Sequence, residues 1–577
     1  MTAGDEFRGH VVVFGFHGVG RRVVRQLANA GQQVIVIDPD ADPTEQEDLQ
    51  RWGVTYLVGY GLSQDTLHVA CVANALAVLC VTDDDVRNIR LALLVRDISP
   101  DVRIVVRMAN ASVGKALTSV TQPGAVLNVA ELASMSFVET AVQRTTHAIT
   151  LGGTEFSVAT LPSATSGTFG LLWEELAPIA VQPADGSAIV SGPSLDHEVQ
   201  PGDLVTLLGT AKAFREAGLE PERDTLTAIG PTLRRRVKEA LAAMSDAVDR
   251  PFRIAFAVLS ALALVSITVL TLGYEEPGGG RMSVLDAVYF TSETIATVGF
   301  GDFYFRDQDT WLRIWAIVLI LLGATLVALA TALLTNALVS RRLAQSLGRQ
   351  RVTGMEGHIV VIGLGAVGSK VAMDLHDAGY EVAVIDSGEG QRFVPQMRAA
   401  GIPVLIGDAT LPETQAAAGI YRAAGVAVLT SDDLVNIETG LAVRGVVGDR
   451  PVPIALRVFS KNLARVIGTG LDAGIARSIA ELASPWFVGA ALGVDVLGTF
   501  YVGSTLFIAV RLPVPKGGGL DGVAIRDLRT TTSIVAVQPA GADELHFPPR
   551  PDTVLNAGDS AYLIGQYEDL LDLLQRA

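Results

Sequence analysis

Thr297-Val298-Gly299-Phe300-Gly301-Asp302 lies between two apolar segments, each long enough to cross a bilayer, and its reading decides the fold. A hydroxyl residue, an apolar residue and then Gly-aromatic-Gly let successive backbone carbonyls turn inward. Carbonyls so arranged replace the hydration shell of a dehydrated ion. Gly299 and Gly301 matter because such a strand takes backbone angles that a Cβ forbids. Asp302 follows at the outer mouth. The competing reading is a Gly-rich turn between helices, and the flanks decide between the two.

Ile254 to Gly273 runs twenty residues without a charge, and Ile314 to Ser340 does the same with length to spare. About 20 such residues cross the ~30 Å of hydrocarbon in a bilayer. Spans are expected at 252–273 and 312–340. Between them, Ser283-Val284-Leu285-Asp286 reads as a capping box that opens a short helix over 284–296. That helix is too short to span and runs straight into the strand at 297–302. Its carboxyl end, the negative end of the helix dipole, favours a cation. Glu293 sits on it, four residues before Thr297, and an ionisable group at membrane depth is expensive and usually functional.

The order helix, re-entrant helix, strand, helix over Phe252 to Arg342 resembles the two-helix K+-channel subunit, with Phe300 at the usual Tyr position. The resemblance implies a tetramer in lipid, with K+ held by the backbone carbonyls of Thr297, Val298, Gly299 and Phe300. It also implies that Glu293 pairs with Asp302 behind the filter, a solvated acid being the alternative. Gly323, midway along the second span, is either a gating hinge or a site of close helix packing, which small residues also serve in membranes. A weakly selective cation channel stays open as an alternative, since Phe300 lacks the hydroxyl that often braces this filter.

Orientation follows from the basic residues. Arg234, Arg235, Arg236, Lys238, Arg250 and Arg253 precede the first span, and Arg341, Arg342, Arg349 and Arg351 follow the second. The connecting loop holds only Arg281, Arg306 and Arg313 beside Glu275, Glu276, Asp307 and Asp309. Positive-inside bias places both termini in the cytoplasm of a prokaryotic plasma membrane, and the filter outside. Voltage sensing is not expected without an Arg-rich span. Met1 to Gly20 leads directly into a soluble domain, so no signal peptide is expected.

The net charge of −17 argues against nucleic acid, and the only cysteines, Cys71 and Cys80, argue against a disulfide framework or thiolate metal site. The acidic surface would also suit Ca2+ or Mg2+, although solubility is the commoner meaning.

An internal repeat accounts for the remainder. His10 to Asp38 (HVVVFGFHGVGRRVVRQLANAGQQVIVID) aligns without a gap to His358 to Asp386 (HIVVIGLGAVGSKVAMDLHDAGYEVAVID). Each is an apolar strand, a glycine turn, a helix, a glycine and a second apolar strand closing in Asp, the βαβ unit that binds nucleotide phosphate at a helix N-terminus. The repeat continues: Ala427 to Asp433 is read against Ala77 to Asp83, allowing a one-residue shift, and Ala480-Glu481-Leu482-Ala483-Ser484 against Ala130-Glu131-Leu132-Ala133-Ser134. A Gly-Asp turn closes each copy, at Gly202-Asp203 and Gly558-Asp559.

With these features the chain resembles the RCK family (regulator of K+ conductance, TrkA-like). The expected fold is multidomain: an α-helical two-span pore module flanked by two α/β Rossmann-like RCK domains, each with a small β-rich lobe. The boundaries are 1–145 and 146–215 for the lobes of the first RCK domain, 216–251 for a linker with a basic interfacial helix, and 252–342 for the pore. A linker at 343–356 and lobes at 357–490 and 491–577 follow. Four chains would bring eight RCK domains into a cytoplasmic ring.

The copies differ. The second carries a complete Gly363, Gly365, Gly368 turn with Val367 beside the last glycine, and Asp386 to accept ribose hydroxyls; Asp408, Asp432 and Arg457 fall at strand ends that face the ligand in this fold. The first has Gly15 and Gly20 but His17 where the second glycine belongs, with Asp38 as its ribose acid and Tyr60 in place of Asp408. His17 either crowds out a pyrophosphate or contacts it. The implied ligand is NAD(H) or an adenine nucleotide acting as regulator, with divalent ions or a cyclic dinucleotide as alternatives. Two other classes are weighed: a membrane-tethered dehydrogenase, for which no catalytic set is present in either second lobe, and a regulatory subunit of a separate K+ transporter, which the chain's own filter argues against. No enzymatic role is expected.

Overall fold

The computed structural model describes residues 7–110, 113–114, 117, 121, 125–219, 250–276, 279–346, 352, 355–388, 391–459, 473–528 and 532–570. The chain divides into two units, Met1–Ala228 with Met355–Ala577, and Ile229–Gly354. The expected basic helix ahead of the first span, and Arg234 to Lys238 within it, lie outside the described residues.

In the larger unit each copy opens on a strand apolar on both faces, Val11–Phe14 and Ile359–Ile362, with every side chain buried. Such runs belong in the middle of a parallel sheet covered on both sides. Each copy builds a parallel six-stranded sheet whose order, counting strands along the chain, is 3-2-1-4-5-6. That order opens a crevice at the carboxyl ends of the first and fourth strands, where the topology switches. A buried histidine repeats too: His10 Nε2 lies 2.9 Å from the Ala70 carbonyl and His358 Nε2 2.9 Å from that of Ala418.

The register corrects one alignment. Val11 pairs with Ala77 where Ile359 pairs with Gly425, so Ala77 answers Gly425 and not Ala427. Apolar runs carry little register information of their own, and the hydrogen-bonded partners decide it. In the corrected frame Asp84 is the counterpart of Asp432, and Asn88 of Asn436.

The two copies pack reciprocally within one chain. The first helix of each, Val19–Asn29 and Ala366–Asp377, lies against the crossover helix of the other, Ile479–Leu492 and Val129–Ala141. One apolar core runs through both Rossmann lobes, joining Val23 and Leu27 to Leu482 and Phe487, and Val371 and Leu375 to Phe137 and Ala133. Glycine makes the fit at Gly425, where a Cβ would stand 2.0 Å from the Ala141 carbonyl oxygen.

The second lobes are antiparallel sheets of five and four strands that share a core of Ile149, Phe156 and Ile179 with Phe500, Phe507 and Tyr562. Both use the same turn. Asp203 accepts from the backbone N–H of Ala184 and Gln200 at 2.9 and 2.8 Å, and Asp559 from Ala540 and Asn556 at 2.9 and 2.9 Å.

Among the described residues the smaller unit holds three helices, Arg250–Gly273, Val284–Ile295 and Thr310–Ser346. The outer two are long and apolar enough to cross a membrane. Ser283 caps the short one, accepting from the Asp286 N–H at 3.1 Å and donating its hydroxyl to Asp286 Oδ2 at 2.5 Å. Its inner face packs Ala287 and Phe290 against Leu270, Leu312 and Leu319 of the two spans. Thr291 adds a buried hydroxyl contact to Ser266 at 3.3 Å.

Candidate functional site

The short helix delivers the strand 297–302 directly. Val298 N–H donates to the Glu293 carbonyl at 2.9 Å, and Thr297 N–H to that of Thr294 at 3.1 Å. Thr297, Gly299 and Gly301 then take φ of 57°, 61° and 85°, while Val298 and Phe300 keep negative φ. Alternation in the sign of φ is the backbone pattern that allows successive carbonyls to turn to one side of a strand. The glycines adopt this at little cost, but Thr297 is β-branched, and its left-handed φ stores about 1–3 kcal/mol. The expectation named Thr297 as a filter residue but reserved the left-handed angles for the glycines, and Thr297 shares them.

Asp302 is held by a residue the sequence reading passed over. Tyr289 Oη donates to Asp302 Oδ2 at 3.0 Å, and the Tyr289 ring stacks on Phe300 with centroids 6.5 Å apart. Tyr289 lies one helical turn before Glu293, a spacing that could have flagged it. Glu293 is 6% exposed, and its Oε2 has no partner among the described residues. Among the described residues Asp302 is bonded to Tyr289 and no direct hydrogen bond joins it to Glu293. Gly323 lies inside an unbroken helix, where a Cβ would stand 3.2 Å from Ile295 Cγ1 of the short helix, which is the packing alternative.

In the second copy a cleft of about 930 Å³ opens at the switch point, lined by Gly363, Gly365, Asp386, Asp408, Asp432 and Arg457 among others. Gly363 has φ 95°, and a Cβ there would lie 2.9 Å from the Thr430 nitrogen. A Cβ on Gly368 would lie 1.9 Å from the Gly363 carbonyl oxygen, so this glycine and Val367 sit beneath the turn and not in the cleft wall. Gly365 differs: a Cβ there meets nothing within 4 Å. The chain's own packing does not demand that glycine, which fits a phosphate group passing close to the backbone.

Asp386 is 6% exposed and anchors the turn, accepting from Leu364 N–H at 2.7 Å and Gly388 N–H at 2.8 Å. Asp408 accepts from the Thr410 N–H and hydroxyl at 2.8 and 2.7 Å, which hold its carboxyl below the usual carboxylate range. Asp432 caps the helix Asp433–Val447 through Leu434 and Val435 N–H, so it has a structural task beside its place in the cleft. Arg457 lies over the Phe459 ring at 4.5 Å, and burial pulls its guanidinium down to about 10 despite Asp433 nearby. Asn436, which the sequence reading did not single out, ties the Thr430 and Arg457 carbonyls together at 3.2 and 3.0 Å, so the two strand ends hold a fixed spacing.

The first copy repeats the scaffold and alters the contents. Asp38 accepts from Phe16 and Asp40 N–H at 2.8 and 2.9 Å, and Asn88 ties Thr82 to Arg107. A Cβ on Gly20 would lie 2.2 Å from the Gly15 carbonyl oxygen, as tight as its counterpart. But the imidazole of His17 stands where Gly365 leaves open space, with Nε2 3.8 Å from Asp38 and Nδ1 3.4 Å from Glu45. Tyr60 lies under the Arg87 guanidinium at 4.9 Å. Among the described residues no group of three or more His, Cys, Asp or Glu side chains could hold a metal ion.

Residues 11–123 and 359–476 each match the TrkA-N domain, 254–340 the ion channel domain, and 509–576 the TrkA-C domain. Potassium channel protein 1 of Methanocaldococcus jannaschii is 23% identical over 299 residues, 49% of this chain and 86% of that protein. A Trk system potassium uptake protein TrkA homolog of Archaeoglobus fulgidus is 29% identical over 217 residues, 37% of this chain and 48% of that protein. Among solved structures, the GsuK channel superposes with a TM-score of 0.51 at 18% identity, covering 99% of this chain and 79% of that one. A GsuK RCK domain structure gives 0.50 at 17%, covering 99% and 95%. At such identities the likeness is one of fold.

Proposed function

We propose that this chain, a membrane ion-channel polypeptide with a TrkA-type RCK domain on each side of its pore module, assembles as a tetramer that conducts K+ under the control of an adenine nucleotide or dinucleotide. The observation that carries this reading is the alternation of φ through Thr297, Gly299 and Gly301, the backbone pattern that suits inward-turned carbonyls in a strand between two helices long and apolar enough to cross a membrane. One chain supplies one such strand, and several are needed to replace the water around an ion. Tyr289 braces the mouth through Asp302, with Glu293 behind it.

The regulatory ligand enters the second-copy cleft. Its phosphates lie along Gly363 to Gly365, its ribose hydroxyls reach Asp386, and Arg457 offers a cation to phosphate. Both termini face the cytoplasm, where the nucleotide is. Binding biases gating only through a difference in affinity between the open and closed arrangements.

The test is K+ flux into liposomes holding the purified protein, with and without NAD(H) and adenine nucleotides, beside Asp386→Ala. Nucleotide-dependent flux that the variant loses is the expected outcome. Flux indifferent to every nucleotide keeps the channel and moves the effector elsewhere. No flux under any condition overturns the channel reading.

A further inference from the structure

The reciprocal packing of the copies makes two junctions, in each of which the first helix of one copy lies against the crossover helix of the other. At one of them a cleft of about 780 Å³ has Arg22, Glu139 and His147 of the first copy facing Arg477, Glu481 and Tyr501 of the second. The other junction is built differently. Arg457 pairs with Arg477 where Arg107 pairs with Leu127, so Leu127 occupies the position of Arg477. Counted from the hairpin turns, Thr150 opposite Glu155 answers Tyr501 opposite Leu506. Lys370, the counterpart of Arg22, pairs with Asp374 on its own helix.

Leu127 is 8% exposed, so the fold closes this junction with a leucine without difficulty. A guanidinium at the same place carries a desolvation penalty that a well-packed apolar residue does not. Arg477 is nevertheless fixed in place: Nε–H donates to Thr140 Oγ1 at 3.2 Å, and the guanidinium lies over the Tyr501 ring at 4.2 Å. Its Nη1 reaches only the neutral carbonyls of Gly503 and Ala476, at 3.3 and 3.4 Å. The nearest acids are committed elsewhere. Glu481 lies 3.0 Å from Arg22 Nη2 and accepts from Tyr501 Oη at 3.0 Å, and Glu139 lies 2.7 Å from His147 Nδ1.

We propose that this inter-copy cleft is a second ligand site, separate from the nucleotide cleft, which takes a small molecule bearing a carboxylate or phosphate group on the free edge of the Arg477 guanidinium. A planar fork held flat by an aromatic ring is pre-organised for two parallel hydrogen bonds to such a group. The cleft walls come from both copies, so an occupant favours one placement of the copies over others and regulates whatever that placement controls.

The test is calorimetry on the full-length protein in detergent, titrated with inorganic phosphate and separately with citrate. The expected result is binding of at least one probe, weakened about tenfold or more by Arg477→Leu and unaffected by Arg457→Gln in the nucleotide cleft. Phosphate alone or citrate alone assigns the head group. Phosphate binding that Arg457→Gln abolishes and Arg477→Leu leaves intact belongs to the nucleotide cleft and overturns the proposal, as does the absence of binding by both probes. Arg477→Leu combined with Tyr501→Thr copies the other junction and should melt no lower than the native protein. Should the leucine variants fail to fold, Arg477→Lys keeps the charge and loses the fork; native affinity in that variant overturns the proposal.

Discussion

The two Rossmann clefts share a scaffold and differ in contents. Both have the same strand order, the same acid closing the second strand, the same Asn tie between strand ends and the same helix-capping Asp. In the second copy the middle glycine opens onto free space and Asp408 stands at the rim; in the first, an imidazole fills that space and Tyr60 takes the rim. The scaffold is a folding requirement, met twice. The open space at Gly365 is not, and such positions are the ones that report on ligand.

The sharpest break of this comparison is between two glycines of one turn. Gly368→Ala drives a Cβ to 1.9 Å from a backbone oxygen and should cost about 3 kcal/mol of stability by overpacking, read as a lowered melting temperature. Gly365→Ala should leave melting unchanged and weaken nucleotide binding instead. Equal melting of the two variants would undo the claim that one glycine serves the fold and the other the ligand.

Next in size, Asp386→Ala should lower nucleotide affinity about tenfold to a hundredfold, since hydrogen bonds to a charged group are lost. Asp38→Ala should leave the number of nucleotides bound per chain as it was. Both measurements come from one calorimetric titration, and loss of binding in both variants would make the clefts equivalent.

A smaller change is expected from His17→Gly. It removes the imidazole between Asp38 and Glu45, and should raise the stoichiometry from one nucleotide per chain towards two, with the second site the weaker because Tyr60 remains. A stoichiometry of two in the native protein would assign His17 to phosphate contact.

The smallest effect concerns Asp408. Hydrogen bonds from Thr410 depress its pKa, so it contributes stability above the unfolded-state value that is lost as pH falls through the folded-state value. Thr410→Ala should let that pKa rise. The stability difference should be a few tenths of a kcal/mol at neutral pH, because solvent screens the exposed carboxylate, and should vanish in acid. Thermal melts at neutral pH and at about pH 3 check this, that being below the ordinary Asp value.

How far sequence went depends on the kind of information each feature needs. Apolar strands ending in Gly turns, an acid at Asp386 and two charge-free spans are local patterns, and they were legible. The register of the fourth strand was not, because an apolar run such as Val426-Ala427-Val428 fits its neighbours equally well when slid along them. Tyr289 shares a helix face with Glu293, but its bond to Asp302 was not legible, because that partner is thirteen residues on, beyond any helical spacing. The TrkA-C match covers only the second copy, yet the Asp203 turn reproduces the Asp559 turn bond for bond. A β-rich lobe is specified by backbone pairing that many sequences satisfy.

By itself, then, the sequence determined that this protein has a re-entrant strand between two membrane spans and two nucleotide-type α/β copies around them, because periodicity, chain length and glycine placement are properties of short segments. Only the tertiary structure decided that the copies pair within one chain, that His17 fills the first cleft, and that Arg477 stands where the other copy has Leu127. Those depend on which side chains from distant segments meet, and that is settled by packing.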